Sequence, residues 1–278
     1  MPYTAEISRS NPSCFIFLVD QSTSMEEPFG GGDGTRRTKQ AGVADATNRL
    51  LDNLVIKCSK DEGIRDYYQV SVIGYGTRVG SALQGSLAGR ELVPISEIEA
   101  NSRIVQRTRE VDDGLGGLRQ ERVDFPTWID PIASGGTPMA EALGMADGIL
   151  RNWMAQHPDC FPPIVINITD GEPNTPPEAA AEALKSIRSS DGNVLLFNIH
   201  LSSKPYPKIE YPDTDQFLAD EYARLLFRMS SVLPPHLVAE LKQEGYPVSD
   251  NSRGFVFNAD SIALIKFLNI GTRPSNLR

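Results

Sequence analysis

Short apolar runs alternate along this chain with longer amphipathic stretches. The runs 14–19 "CFIFLV", 68–75 "YQVSVIGY", 164–169 "IVINIT", 194–201 "VLLFNIHL" and 254–257 "GFVF" are rich in β-branched and aromatic residues. Near-continuous apolar character in runs this short predicts strands buried on both faces. The stretches 38–57, 138–155, 177–190, 215–231 and 260–268 carry apolar residues at helical spacing, as Ala46, Leu50, Leu51 and Leu54 do in the first, and predict helices. Pro138 and the pair Pro176–Pro177 suit the first turn of the helices they open, where a missing N–H costs little. Strands and helices in this alternation predict an α/β fold, a doubly wound, mostly parallel sheet with helices on both faces.

One segment breaks the rhythm. Residues 76–133 contain no helix of usual length, and within them "RIVQRTREV" and "LRQERVDFPTW" flank the turn signal "DDGLGG", which predicts a β-hairpin elaboration over about 103–128. Its charge fits an elaborated sheet edge, where charge discourages unwanted pairing. A partner-binding arm is the other reading.

Candidate chemistry gathers at the carboxyl ends of the predicted strands, where doubly wound sheets form their binding crevices. The first strand runs into "DQSTSM", with Asp20, Ser22 and Ser24 at alternate positions; the strand 164–169 ends at Asp170 of "DGEPN"; and "ASGGTPM" places Thr137 in a glycine-bearing loop before a helix. Two carboxylates and three hydroxyls, with no His or Cys among them, describe a site for a hard divalent cation. Mg²⁺ takes near-octahedral oxygen ligands at roughly 2.0–2.1 Å and keeps waters or accepts a ligand from a partner. Mn²⁺ and Ca²⁺ accept the same oxygens. Gly135, Gly136 and Gly171 would let backbone approach the ion. Serine hydroxyls that merely cap a turn and helix explain the first loop alone.

These residues carry a family resemblance. "DQSTSM" matches the DxSxS signature of von Willebrand factor type A (VWA) domains, and "GGTPM" and "ITDGEP" resemble that family's second and third metal loops, in the same order. The resemblance spans roughly 12–270 apart from 76–133. It implies a Rossmann-like VWA fold, one domain over 1–278, with a metal-ion-dependent adhesion site (MIDAS). By position Asp20, Ser22, Ser24 and Thr137 would be ligands, and Asp170 would ligate directly or through water. A protein partner's Glu or Asp would fill the open metal position. The match is closer to intracellular bacterial members than to secreted adhesins, and resembles the TerY-like group, whose genes often neighbour a protein phosphatase and a protein kinase. Two departures stand out: Thr23 occupies a position where many members have glycine, and the insertion "FGGGDGT", with its Gly30–Gly34 stretch, separates the first metal loop from its helix. The insertion is a candidate flap over the metal face.

Composition narrows the setting. With 27 Lys and Arg against 36 Asp and Glu the net charge is −9, the wrong sign for a nucleic-acid or anionic-membrane surface. The three cysteines, Cys14, Cys58 and Cys160, are far apart, and "MPYTAEISRSNPS" has no apolar signal region, so a reducing, cytoplasmic setting is expected. "GGGDGTRRTK" lacks the GxxxxGK[ST] pattern, "DGLGGLR" lacks the last glycine of GxGxxG, and no GxSxG elbow occurs. Of the three histidines, His200 lies in an apolar run and is expected as a core or rim residue; His157 and His236 adjoin prolines and are expected at the surface. The loop 202–215, with Tyr206 and Tyr211, should flank the metal edge, as a recognition loop or as a plain connection, and Asp213 and Asp215 are expected to start the next helix.

The expected function is a metal-dependent protein-interaction module without catalytic residues. A metal-dependent phosphohydrolase or nucleotide enzyme is the alternative, with Asp130 and Glu172 as its extra carboxylates. A scaffold with a vestigial metal site is a third reading.

Overall fold

In the computed structural model of the protein, residues 2–29, 37–112 and 117–271 are described. The central sheet has eight strands: β1 (Ser13–Asp20), β4 (Tyr68–Tyr75), β5 (Val79–Ser81), β6 (Val93–Pro94), β9 (Ile164–Thr169), β12 (Leu195–His200), β13 (Ile209–Glu210) and β14 (Phe255–Phe257). Their order is β13–β14–β12–β9–β1–β4–β5, with β6 also on β4. The pairs joining β14, β12, β9, β1 and β4 are parallel, and the short edge strands β5, β6 and β13 are antiparallel. The chain therefore has the mostly parallel α/β architecture expected of its alternating pattern.

Strand β1 shows why its apolar run is unbroken. Phe15, Phe17 and Val19 enter one core, and Cys14, Ile16 and Leu18 enter the other, on the opposite face. Helices α1 (Lys39–Cys58), α2 (Ile95–Ala100), α6 (Pro235–Gln243) and α7 (Ser261–Gly271) cover the first core; α3 (Met139–Met154), α4 (Glu178–Ser186) and α5 (Glu221–Met229) cover the second. Each large side chain buried this completely contributes roughly 1.5–3 kcal/mol.

Strand β1 continues into α1 on one face, while its neighbour β9 continues into α4 on the other. The two loops diverge at the carboxyl ends of adjacent strands and leave a crevice between them, the switch point of a doubly wound sheet.

The five principal strands and most of the helices lie where the pattern places them, with four corrections. Helix α6 has no counterpart in the sequence reading: its opening "PPHLVAELKQ" is short and proline-led, yet Leu237, Val238 and Leu241 are buried against the first core. The stretch 177–190 is helical only to Ser186, because β10 (Arg188–Ser189) and β11 (Gly192–Asn193) form a tight hairpin that turns at Ser190 and Asp191. The stretch 215–231 becomes helical only at Glu221, and Asp220 provides the cap, accepting a hydrogen bond from the Ala223 amide at 2.7 Å. A further small hairpin joins β2 (Ser59–Lys60) and β3 (Gly63–Ile64) after α1.

The fourth correction concerns the elaboration. Strands β7 (Arg103–Asp112) and β8 (Leu118–Thr127) form a ten-pair antiparallel hairpin that is a sheet of its own rather than an extended edge of the central one. Its base rests on α1. Arg107 makes a two-pronged contact with Asp45 at 2.6 Å on each prong, and the same guanidinium lies 3.7 Å over the Phe125 ring. The Trp128 indole N–H, donating to Ile98 O at 2.6 Å, and the Asn48 side chain, bonded to the 128–129 backbone, complete the anchorage.

Candidate metal centre

Asp20 is the last residue of β1 and is 1 % exposed. Its Oδ1 accepts a hydrogen bond from the Ser22 amide at 2.8 Å, and its Oδ2 accepts one from the Thr169 hydroxyl at 2.5 Å. Burial raises its pKa to about 6; the hydrogen bonds from Ser22 and Thr169 oppose that rise, and the charge of Asp170 adds to it. Ser22 Oγ and Ser24 Oγ lie 3.0 Å apart, and Ser24 donates to Asp170 Oδ1 at 2.7 Å. With its proton committed to Asp170, Ser24 keeps oxygen lone pairs for an acceptor-seeking cation.

The second loop is tied to the first and third. The Thr23 amide donates to Gly135 O at 3.0 Å and the Ser134 amide to Gln21 O at 2.6 Å. Thr23 also donates its hydroxyl to Gly135 O, so its side chain adds a cross-link between loops. Gly135 has φ +82° and packs its α-carbon against Thr77 backbone, a turn that strains any residue with a side chain. The Thr137 amide donates to Asn174 Oδ1 at 2.9 Å, and the Asn174 amide returns a bond to Thr137 O at 3.0 Å.

These ties bring three loops to one point. A methyl group placed on Gly171 would sit 3.5 Å from Thr137 Oγ1, 3.7 Å from Ser24 Oγ and 3.9 Å from Asp20 Oδ2. Two oxygens from the end of β1 and the loop after it, and one from the loop before α3, thus face a common small space that the glycine of the loop after β9 leaves open. The donor set, all oxygen and with two carboxylates, fits a hard divalent ion. Asp170 belongs to the cluster, but both of its oxygens already hold partners, Ser24 on Oδ1 and Lys39 on Oδ2.

Lys39 is the residue the sequence reading missed. It opens α1, is 2 % exposed, and places Nζ 2.5 Å from Asp170 Oδ2 and 3.3 Å from Glu27 Oε2. Glu27 in turn accepts a hydrogen bond from Ser203 Oγ at 2.6 Å, and the Ser203 and Lys39 contacts together hold the Glu27 carboxyl below its ordinary range. A signal was present: Lys39 lies four residues before Val43 and falls on the apolar stripe of α1 that continues through Ala46, Leu50 and Leu54. Thr169 was missed too, because a strand-end threonine among apolar residues reads as ordinary β structure.

Beneath the site a buried polar chain crosses the sheet. Tyr75 OH donates to Asn167 Oδ1 at 2.6 Å, Asn167 Nδ2 to Asn198 Oδ1 at 2.9 Å, and Asn198 Nδ2 to Ser230 Oγ at 2.9 Å. Such satisfied interior networks rigidify the strands that carry them.

The other candidate residues resolve as follows. Of the insertion "FGGGDGT", only Phe29 is among the described residues, packed on Gly42, and the candidate flap Gly30–Gly34 lies outside them; Pro28 and Thr38 on either side form a bridge. In the loop 202–215, Tyr211 is 3 % exposed and stacks on Phe267, and Tyr206 packs on Phe257, so the tyrosines anchor the loop rather than face a partner. Asp213 accepts from Ser249 and Asp215 pairs with Arg228, so neither starts α5. His200 is buried and stacks on Phe257; its Nδ1 has no hydrogen-bond partner among the described residues, and burial pushes its pKa down to about 4. His236 is half-buried edge-on to Phe161, and His157 lies 4.5 Å from Trp153. Asp130, offered as an extra carboxylate for an enzyme, is paired with Arg103, and Glu172 is exposed. Among the described residues no group of three or more His, Cys, Asp or Glu side chains is gathered as a metal cluster, and no helix is long and apolar enough to cross a membrane.

No protein-family model and no curated protein matches the chain. Solved structures do. The chain is similar to the vWF domain of the type V pili tip protein Mfa5 from Porphyromonas gingivalis at 16 % identity and TM-score 0.31, over 59 % of this chain and 39 % of that one. It is similar to the SpRpn10 VWA domain at 10 % identity and TM-score 0.37, over 68 % and 75 %. It is similar to the PilB minor pilin from Streptococcus sanguinis at 12 % identity and TM-score 0.46, over 98 % and 62 %. The chain thus spans about two fifths of the Mfa5 domain structure. The strand order and the switch point between β1 and β9 carry the fold assignment; the structures similar to it include VWA domains.

Proposed function

We propose that this protein is a metal-dependent protein-interaction module of the VWA type, with a MIDAS at the carboxyl edge of its sheet. The observation that carries this reading is the convergence of Thr137 Oγ1, Ser24 Oγ and Asp20 Oδ2 on the space beside Gly171. Asp20, Ser22, Ser24 and Thr137 would hold Mg²⁺, with Mn²⁺ or Ca²⁺ as substitutes. Asp170, with both oxygens engaged, would act through a water. The ion would supply an electrophilic position for a partner's Glu or Asp. The chain's own residues orient the hydroxyl oxygens: Asp170 accepts the hydrogen bond of the Ser24 hydroxyl, and Asn174 fixes the Thr137 backbone.

The bacterial, cytoplasmic, TerY-like setting and a kinase or phosphatase as partner are part of the same proposal, supported by the motif resemblance, the unpaired cysteines and the net charge. The test is a thermal melt of EDTA-stripped protein titrated with Mg²⁺, Mn²⁺ and Ca²⁺, beside Asp20→Ala. A ligand at about 100 times its Kd adds roughly 2.7 kcal/mol, so the wild type is expected to melt several degrees higher with metal and the variant not to shift. Equal shifts in both proteins would rule the site out.

A further inference from the structure

The feature that the metal reading does not require is Lys39. Lysine is seldom fully buried unless it is paired, and here the ammonium is 2 % exposed against an Asp170 carboxylate that is 1 % exposed. Both are held by the fold from opposite sides: Lys39 by the first turn of α1, Asp170 by the end of β9. The contact is continuous with the candidate ligands, running from Ser22 through Ser24 to Asp170 and on to Lys39.

The formal charges make the consequence plain. Asp20 and Asp170 contribute −2, and Lys39 returns +1, so the buried cluster carries −1 without an ion and +1 with a divalent one. A cluster without Lys39 would carry −2 and then zero. Like charges close together in a water-poor site repel far more strongly than in bulk water.

We propose that Lys39 is a tethered counter-cation of this site: it neutralises Asp170 while no divalent ion is bound, and it lowers the affinity for that ion. The inference rests on the metal reading above. It adds that the free protein holds its loops together without metal, and that the buried part of the loaded site carries a surplus positive charge, which the exposed Glu27 offsets from the rim and an anionic partner group relieves at the ion. Glu27, on the other side of the ammonium and tied to Ser203, keeps the lysine in place and links it to the loop after β12.

The test compares Lys39→Met and Lys39→Arg in the full chain, by melting in EDTA and by calorimetric titration with MgCl₂. Lys39→Met is expected to melt several degrees lower in EDTA and to bind Mg²⁺ at least tenfold more tightly, with Lys39→Arg near the wild type in both. Adding Asp170→Asn to Lys39→Met is expected to restore the EDTA melting temperature, since the carboxylate that the loss of Lys39 strands is then replaced by a neutral amide. A Lys39→Met protein that melts like the wild type, or a double variant without recovery, overturns the counter-cation role; this arm still reads out if the single variant does not fold. Equal Mg²⁺ binding in wild type and Lys39→Met overturns the competition alone, leaving the metal site standing. No Mg²⁺ binding in either protein overturns the metal reading and the competition with it.

Discussion

Two ion pairs on the same helix face opposite fates. Arg107 and Asp45 join the hairpin to the middle of α1; Lys39 and Asp170 join the first turn of α1 to the loop after β9, at the candidate metal centre. The arginine pair is two-pronged, backed by the Phe125 ring, shared with Arg37 through Asp45, and only partly closed to solvent, with side chains 34 % and 12 % exposed. The lysine pair is a single contact with both partners closed to solvent. A planar guanidinium suits a fixed architectural bond, whereas a compact ammonium is a point charge that can stand where another cation would stand. Equal chemistry on paper thus does two jobs, because burial decides how much each charge depends on its partner.

The widest separation between the two pairs is expected in stability. Breaking a buried pair strands its partner and costs about 3–5 kcal/mol, whereas a pair with one solvent-accessible partner contributes about 1 kcal/mol, and Asp45 keeps Arg37 when Arg107 is removed. Urea unfolding of Lys39→Met and Arg107→Ala at about 0.1 M and about 1 M NaCl checks this. The Lys39→Met loss should be the larger and insensitive to salt, and the Arg107→Ala loss should shrink as the Debye length drops to roughly 3 Å. Similar losses with similar salt dependence would erase the contrast.

Gly171→Ala sharpens the comparison within the site. The new methyl would meet its neighbours at 3.5–3.9 Å, which is ordinary contact, but it would fill the space that the three oxygens face. The expected outcome is an EDTA melting temperature near that of the wild type and at least a tenfold loss in Mg²⁺ affinity by titration. Undiminished Mg²⁺ binding would mean that the ion sits elsewhere.

A smaller effect is expected from pH. Asp20 has its pKa raised from 3.8 to about 6, so between those values the folded protein holds a proton that the unfolded chain has released. Stability of the metal-free protein therefore falls as pH rises across that window. Mg²⁺ must displace the same proton, and its apparent Kd should be flat above about pH 7 and rise towards tenfold per pH unit below about 6. A Kd unchanged between pH 5 and 8 would remove Asp20 from the ligand set.

Periodicity and local composition were enough to place β1, β4, β9, β12 and β14, because a strand buried on both faces must be apolar at nearly every position. They were also enough to nominate Asp20, Ser22, Ser24, Thr137 and Asp170, because capping explains the first loop alone, whereas oxygens in three loops at one sheet edge call for a common ligand. What stayed hidden depends on residues far apart in the chain: Thr169 reaches Asp20 across 149 positions and Lys39 reaches Asp170 across 131. No local pattern reports which charge meets which, that Tyr211 turns inward onto Phe267, or that the charged hairpin leaves the sheet to lie on α1. By itself the sequence determined the layers of the fold and the oxygen atoms at its edge, since each is dictated by neighbours within a few residues. The tertiary structure alone decided that a lysine stands among those oxygens, since burial and long-range contact give that charge its meaning.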